Sequence, residues 1–147
     1  MSLTVKRKLI LSFLIGLWTL VVAESVRAES LTVVVENVHS AQGTIMLQIL
    51  NGAEEFDGKR PAIASIMQRA VTGQMTFNVH NLPSGEYAVR VMHDLNDNGE
   101  LDANFVGMPN EPWAFSNNAV GNFGPPTWKD VRFALQDDVH QTLRLNR

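Results

Sequence analysis

A stretch of nine residues carries oxygen-bearing groups at alternate positions, which is the spacing of a calcium-binding loop. The five candidate ligands are Asp94, Asn96, Asn98, Glu100 and Asp102. They can converge on one point as the chain coils, because Gly99 permits a sharp turn at the sixth position. Glu100 would contribute its backbone carbonyl and the other four their side chains. Hard oxygen ligands suit calcium and not zinc or copper, so calcium is the predicted cofactor.

The loop departs from an EF-hand at its twelfth position, where Phe105 stands in place of the bidentate Glu. A predicted strand, not a helix, precedes the loop. With two carboxylate ligands, we expect a dissociation constant on the order of 10⁻⁴ to 10⁻³ M, as in extracellular calcium modules. The alternative interpretation is a metal-free loop whose Asp and Asn side chains cap their own backbone turns.

The segment that follows, residues 108–128, is dense in aromatic, amide, Gly and Pro residues. The residues that could form a ligand surface are Trp113, Phe115, Asn117, Asn118 and Trp128. Rings would serve as flat platforms and amides as directional hydrogen-bonding groups, which would suit a carbohydrate or a peptide. In the alternative interpretation, which we favour, the rings close one end of the domain and the Asn side chains satisfy irregular backbone.

His93 and Asp94, with Ser116 further along the chain, are the residues that a hydrolase would use. Nucleophilic catalysis needs a Ser held by a His that a third group orients. No nucleophile motif surrounds Ser116, and alternation places His93 on the inward face of a strand. We therefore predict a non-enzymatic binding or structural module, with a hydrolase at His93 and Asp94 as the less favoured alternative. The Met residues are scattered along the sequence at positions typical of a core, so we do not predict a copper site built from Met and His.

Two-residue alternation of apolar and polar side chains predicts the strands that position these groups. The alternating segments are 31–38, 44–50, 74–80, 86–93, 131–135 and 143–145. Six or seven strands without a long helical period predict an all-β fold, a single antiparallel β-sandwich of about seven strands. Residues 39–43 are expected to form a hairpin loop between the first two strands, and 136–139 a turn between the last two. Residues 62–70 fit a strand or a short helix.

One long segment, from Asp94 to about Asp130, interrupts the strand rhythm. Connections of this length in a compact domain are often functional. Any function that the sequence encodes is therefore expected in this segment.

The N-terminus has the pattern of a secretory signal peptide. Basic residues at positions 6–8 precede an apolar run over 9–23. Cleavage is predicted after Ala28, at residues 26–28, with residues 21–23 as a second candidate. The apolar run of about 15 residues is shorter than the roughly 20 that span a bilayer. We therefore predict a signal helix over 1–28, a domain over 29–147, and a periplasmic or secreted location. The chain has no Cys, which excludes a lipoprotein anchor and disulfides.

Loss of the signal peptide would make the domain acidic. It removes four basic groups and one acidic group, which leaves 8 basic (12 less 4) and 14 acidic (15 less 1) and a net charge of −6. A domain of this charge lacks the basic surface that nucleic acid or anionic lipid requires. The predicted partners are therefore a small molecule, a glycan or a protein, with membrane contact only through the signal peptide.

The run Leu-Pro-Ser-Gly-Glu-Tyr-Ala-Val at residues 82–89 resembles the turn into a strand of prealbumin-like (transthyretin-like) sandwiches. Pro83 and Gly85 supply the fixed and permissive backbone angles of a turn. The resemblance implies that Tyr87 buries its ring and returns its hydroxyl to a backbone group, as in a tyrosine corner. This motif supports the fold and not an activity.

A second set of motifs is more distinctive. The pattern H-D-x-N-x-N-G-x-L-D-x-N-F-x-G over 93–107 is followed by Phe-Ser-Asn-Asn at 115–118 and Phe-Gly-Pro-Pro at 123–126. Together they resemble the bacterial periplasmic family called domain of unknown function 2141. The resemblance covers about residues 31–146 and implies an exported β-sandwich of unassigned activity.

Overall fold

Eight strands and three short helical turns make up residues 28–146, the part of the chain that this computed structural model describes. The predicted signal helix over 1–28 lies outside the described residues except for Ala28, which begins the first strand. The elements are β1 (Ala28–Val38), β2 (Thr44–Leu50), α1 (Ala53–Phe56), β3 (Ala64–Arg69), β4 (Gly73–Pro83), β5 (Gly85–Asp94), β6 (Trp113–Phe115), a 3₁₀ turn (Ser116–Asn118), α2 (Trp128–Val131), β7 (Phe133–Leu135) and β8 (Val139–Arg144). None of the helices in this part of the chain is long and apolar enough to cross a membrane.

The strands form two sheets. The first has the order β4-β1-β8, and the second has the order β3-β2-β5-β6, with β7 paired to the start of β5. All of these pairs are antiparallel except β1 and β8, which run parallel. The predicted all-β sandwich is confirmed, with eight strands instead of about seven and with one parallel pair.

The core lies between the inner faces of the two sheets, where alternation places every second residue. The buried residues of β1 include Leu31, Val33 and Val35, and β2 contributes Ile45, Leu47 and Ile49 from the other sheet. Full burial of one such side chain stabilises the fold by about 1.5–3 kcal/mol. Since β1 is paired on both sides, its Val-rich sequence suits the central position that it occupies.

The two predicted hairpin connections are wrong. Residues 39–43 lead from β1 in the first sheet to β2 in the second, and residues 136–138 lead from β7 back to β8. Each pair of strands packs face to face across the core instead of side by side, and alternation looks the same in both arrangements. The first crossing depends on Gly43, whose φ is 76° and whose Cβ, if present, would collide with the Asp94 carbonyl oxygen.

Three further segments resolve alternatives left by the sequence. Residues 64–69 form strand β3, paired antiparallel with β2. The alternation of Val131 with Phe133 predicts that Val131 begins strand β7. In the structure Val131 is instead buried in α2. The long segment after β5 contains β6, the 3₁₀ turn and α2, so it is not one continuous loop. The Tyr87 hydroxyl donates to the Pro83 carbonyl at 2.8 Å, which confirms the expected tyrosine corner.

Candidate functional site

The outer face of the second sheet forms the floor of a cavity of about 910 Å³. Strands β2, β5 and β6 contribute the floor because their other faces are committed to the core, which directs every second side chain outward. The floor residues are Met46, Gln48, Arg90, Met92, Trp113 and Phe115.

Strand register arranges the outer face in two rows. One row across β3, β2, β5 and β6 is Met67, Met46, Met92 and Trp113, and the next is Ser65, Gln48, Arg90 and Phe115. The interpretation of the Met residues as scattered core positions is therefore wrong for three of them. They lie side by side on an outer face, where flexible thioethers form an adaptable apolar surface.

Two loops rise from this floor as walls. One wall comprises residues 99–101 and 106–109, and the other comprises 120–121 and 123–125. Several apolar side chains of the walls remain exposed in the described structure: Leu101, Val106, Met108, Val120 and Phe123. A soluble domain rarely gathers exposed apolar residues around one concavity unless that surface contacts something, so the cavity is the strongest candidate for a binding site.

Three side chains with polar heads line the cavity besides the Trp113 indole: Gln48, Arg90 and Glu100. The Arg90 Nε and Nη2 donate to Gln48 Oε1 at 2.9 and 2.6 Å. Burial lowers the pKa of Arg90, but an arginine guanidinium stays protonated at neutral pH. Within residues 28–146 Arg90 forms no ion pair. Within the described residues, the floor therefore holds a cation whose one side-chain partner is the neutral amide of Gln48.

The side chains of the predicted calcium loop are close together. Asp94 Oδ1 and Oδ2 accept from the backbone N–H groups of Asn98 and Gly99 at 3.2 and 2.7 Å. Asp102 Oδ2 and Oδ1 accept from the side-chain amides of Asn96 and Asn98 at 2.7 and 3.0 Å. Gly99 has a φ of 81°, as expected at the sharp turn. Four of the five predicted ligands thus share one hydrogen-bond network.

The fifth predicted ligand, Glu100, enters this network through its backbone. Its N–H donates to Asn98 Oδ1 at 2.8 Å, and Glu100 also lines the cavity. In the described part of the chain, no three His, Asp or Glu side chains are grouped in the manner of a metal site. A calcium ion in this loop would therefore need Asn oxygens and backbone carbonyls, as the predicted ligand set specifies.

Glu111 is a loop residue that the sequence did not single out. It is 4% exposed, and its Oε1 and Oε2 accept from the backbone N–H groups of Leu95 and Asp102 at 2.7 and 3.0 Å. One buried carboxylate thus fastens both ends of the predicted calcium loop. Its setting between Asn110 and Pro112 is typical of a surface turn, so no local signal marks it.

Asp97 anchors the same loop to the sheet from outside. Its carboxylate accepts from the Thr44 hydroxyl at 2.7 Å and from Arg69 Nη1 at 2.6 Å, which ties the loop to β2 and β3. The hydrogen bond from Thr44, followed by that from Arg69, lowers the pKa of Asp97. Because Asp97 is not one of the alternating ligand positions, it holds the loop without occupying the predicted metal site.

Only two of the five residues of the predicted carbohydrate or peptide surface reach the cavity. Trp113 and Phe115 line it, with ring centroids 5.4 Å apart. Trp128 packs instead against Phe56, at 6.4 Å between centroids, and that ring continues to Phe115 at 5.7 Å. These rings cover a small second core of Leu50, Ala88 and Val131.

Asn117 and Asn118, the two asparagines of the predicted carbohydrate or peptide surface, form hydrogen bonds with backbone groups. Asn117 Nδ2 donates to the carbonyls of Asp130 and Arg132, both at 3.0 Å. Asn118 Nδ2 donates to the Thr142 carbonyl, and its Oδ1 accepts from the Arg144 N–H, both at 2.8 Å. These contacts match the interpretation in which Asn side chains satisfy irregular backbone.

The candidate hydrolase residues do not meet. Buried His93 contacts the Gln42 carbonyl through Nε2 at 2.7 Å. Ser116 Oγ accepts from the Val89 N–H at 3.0 Å and donates to the Val131 carbonyl at 2.5 Å. Val89 lies four residues before His93 on β5, roughly 13 Å away at about 3.3 Å per residue. Both side chains therefore bind separate backbone groups.

Comparison with known proteins gives a family and no close relative. The chain matches no curated protein and no solved structure, so the prealbumin-like resemblance stays a prediction. A family model described as an uncharacterized protein conserved in bacteria (DUF2141) matches residues 33–142. The match runs from β1 to β8 and includes the cavity floor, both walls and residues 94–102. The chain therefore belongs to this family of uncharacterized bacterial proteins.

Proposed function

We propose that the protein is an exported, non-enzymatic binding module that takes a small ligand in the cavity on the outer face of its second sheet. The cavity is the observation that carries this proposal. Its volume of about 910 Å³ falls in the range of about 300–1,000 Å³ that is usual for small-molecule sites. Its lining is mostly apolar with a few polar groups, which is the usual composition of such sites.

The lining also supports a binding role over a catalytic one. Among the described residues that line the cavity there is no Ser, Thr or His, and Glu100 is the only acid. The hydrolase candidates His93 and Ser116 lie elsewhere and are engaged by backbone. A reaction in this cavity would therefore lack a side-chain nucleophile with a neighbouring base.

A calcium ion in the Asp94–Asp102 loop is the second part of the proposal. The carboxylates of Asp94, Asp102 and Glu111 each accept hydrogen bonds from groups of this loop, and none of them forms an ion pair within residues 28–146. Calcium would compensate their charge if Asp102 exchanged its two amide donors for the ion. Residues 99–101 belong both to the loop and to one cavity wall, so the ion would hold that wall in place.

Carbohydrate or peptide binding remains the alternative use of the same cavity. Trp113 and Phe115 offer ring faces, but Asn117 and Asn118 are occupied by backbone groups. A sugar needs several directional polar partners, whereas the cavity offers three polar side chains and one indole. An apolar ligand therefore fits the lining better.

Binding of a neutral, environment-sensitive dye such as Nile red tests the cavity. A Met46→Trp variant would fill the floor and is expected to weaken dye binding at least tenfold. Val34→Trp is the matched control because Val34 faces outward from β1 in the other sheet, and its dye binding should match the wild type. Equal dye binding by both variants, or none by the wild type, would contradict the proposed site.

Thermal melting in calcium and in chelator tests the metal. With a dissociation constant of 10⁻⁴ to 10⁻³ M, 10 mM calcium should stabilise the protein by about 1.4–2.7 kcal/mol, or roughly 5 °C or more in melting temperature. Asp102→Asn should abolish the shift, whereas Asp97→Asn, the same change at a position outside the ligand set, should retain it. If the wild type shows neither a shift nor a heat of calcium binding, the metal proposal fails.

A further inference from the structure

The position of Arg90 within the cavity indicates what kind of ligand binds there. Arg90 occupies the middle of the floor, between Gln48 on β2 and Phe115 on β6. Met92 is its neighbour on the same face of β5, roughly 7 Å further along the strand. A single charged group therefore lies in the centre of a floor that, apart from the Gln48 amide, is built from thioethers and rings.

The Arg90 guanidinium has donors to spare. Gln48 Oε1 accepts from Nε and Nη2, which fixes the orientation of the planar group, and no acceptor in residues 28–146 takes a bond from Nη1. Glu100 is the only acid that lines the cavity, and it forms no ion pair with Arg90. Arg90 is half-buried, and a partly desolvated cation without a counter-charge carries a cost that an anion on the free edge of the guanidinium would reduce.

The other residues that line the cavity determine the polarity and the charge of the ligand that fits. Beyond Gln48 and Arg90 the floor is apolar, and the walls add exposed apolar residues: Leu101, Val106, Met108, Val120 and Phe123. The lining holds one cation only, and the predicted mature domain has a net charge of −6. The charge of a monoanion is therefore balanced by Arg90. A multiply charged phosphate would find one positive group in the cavity and would be repelled by the net negative charge of the domain.

We propose that the cavity binds an alkyl carboxylate, with the carboxylate on the Arg90 guanidinium and the chain along Met92, Met46 and Trp113 between the two walls. This inference rests on the proposed binding role of the cavity and names its ligand class. Gln48 acts as a positioning residue, because it turns the guanidinium fork so that its free edge faces the ligand. The bidentate pairing of guanidinium and carboxylate supplies selectivity for the head group.

Calorimetric titration with decanoate and with two ligands of the same chain length, decanol and decyltrimethylammonium, tests the head group. Measurements are made in chelator, so that calcium soaps do not form. Decanoate should bind tightest and the cationic ligand weakest. Along the series octanoate, decanoate and dodecanoate, affinity should rise roughly fourfold per methylene, since each buried methylene contributes a constant increment.

The Arg90→Met variant keeps the length of the side chain and removes its charge. It should bind decanoate about ten- to a hundredfold more weakly than the wild type while binding decanol unchanged. Arg132→Met is the matched control, because Arg132 pairs with Glu86 away from the cavity, and it should bind like the wild type. Circular dichroism of both variants checks that they fold.

The possible results separate the two claims. Equal binding of decanoate and decanol, or an Arg90→Met variant that keeps wild-type affinity for decanoate, overturns the carboxylate inference and leaves the binding module standing. If the wild type binds none of the three ligands and no Nile red, both claims fail. A preference for decanoate that disappears only in Arg90→Met supports the inference.

Discussion

Replacing Glu111 by Gln should weaken the attachment of both ends of the predicted calcium loop and so destabilise the fold. Glu111 is 4% exposed and accepts one backbone N–H at each end of the loop, from Leu95 and from Asp102. A glutamine of the same shape can accept one of these bonds through its oxygen. Its NH₂ group then faces the other N–H, donor against donor, so that a buried backbone group loses its partner.

The magnitude follows from those two bonds. A hydrogen bond to a charged group contributes about 1.5–3 kcal/mol, and an unsatisfied buried donor costs about 1–3 kcal/mol. The neutral amide regains part of the desolvation cost of the carboxylate, so the expected loss lies near the lower end of the combined range, at about 2 kcal/mol. Against a total stability of about 5–15 kcal/mol, a loss of this size is easily measured.

Urea denaturation in chelator provides the measurement. The midpoint for Glu111→Gln should fall by about 1 M or more, with an unchanged slope. Glu100→Gln is the matched control, because Glu100 is in the same loop and its side chain makes no hydrogen bond in the described structure. We expect that control to stay within about 0.5 kcal/mol of the wild type. If the two variants unfold at the same urea concentration, the account of Glu111 is refuted.

Three further changes test other parts of the structure. Thr127 holds the pKa of Asp130 below its usual value, first through its hydroxyl and then through its N–H, so the folded pKa lies below the unfolded value of about 3.9. The stabilisation is therefore present above that value and lost as pH falls through the folded pKa, and melting temperatures of Asp130→Asn should fall less than those of the wild type between pH 5 and pH 2. Ser116→Ala should lower the free energy of unfolding by about 1–3 kcal/mol, because it leaves the buried Val89 N–H without an acceptor. Urea denaturation measures this loss, and a change below about 0.5 kcal/mol would contradict the prediction. Gly43→Ala should destabilise the protein by more than the roughly 1–2 kcal/mol that a left-handed backbone conformation costs an alanine. The additional loss arises because the new Cβ would collide with the Asp94 carbonyl oxygen of β5. An unchanged melting temperature would disprove this account of Gly43.

Local spacing explains why the convergence of the polar side chains in residues 94–102 could be predicted from the sequence, whereas calcium binding there stays a prediction. Asp94, Asn96, Asn98 and Asp102 lie within one turn-forming segment, so their convergence depends mainly on backbone conformation that Gly99 permits. Glu111 joins them only because the chain returns to β5 as β6, which no local pattern announces. The sequence therefore allowed the neighbouring residues 94–102 to be assigned to the loop. It did not allow Glu111, which fastens the ends of the loop, to be assigned to it.

The cavity was hidden for a different reason. Alternation identifies inward-facing residues such as Leu47 and Val91, and by elimination it identifies Gln48 and Arg90 as outward-facing. It does not show that Gln48 and Arg90 are neighbours, because that depends on the register between β2 and β5. The same limit produced the wrong hairpins, since alternation fixes the face of a strand and not its partner.

Four hydrogen bonds, made by Asp97 and Glu111, determine how the predicted calcium loop can act on the cavity. Asp97 ties the loop to Thr44 and Arg69, and Glu111 ties both its ends together. Residues 99–101 lie between these attachments and form one cavity wall, so an ion inside the loop would restrict the wall without contacting the ligand. Binding linkage then requires reciprocity: the factor by which saturating calcium tightens Nile red must equal the factor by which saturating Nile red tightens calcium. We expect both factors to exceed one, and both to fall to one in Asp102→Asn. A dye affinity that does not respond to calcium in the wild type would mean that the loop and the cavity are independent, because the wall that they share would then be fixed by Asp97 and Glu111 alone.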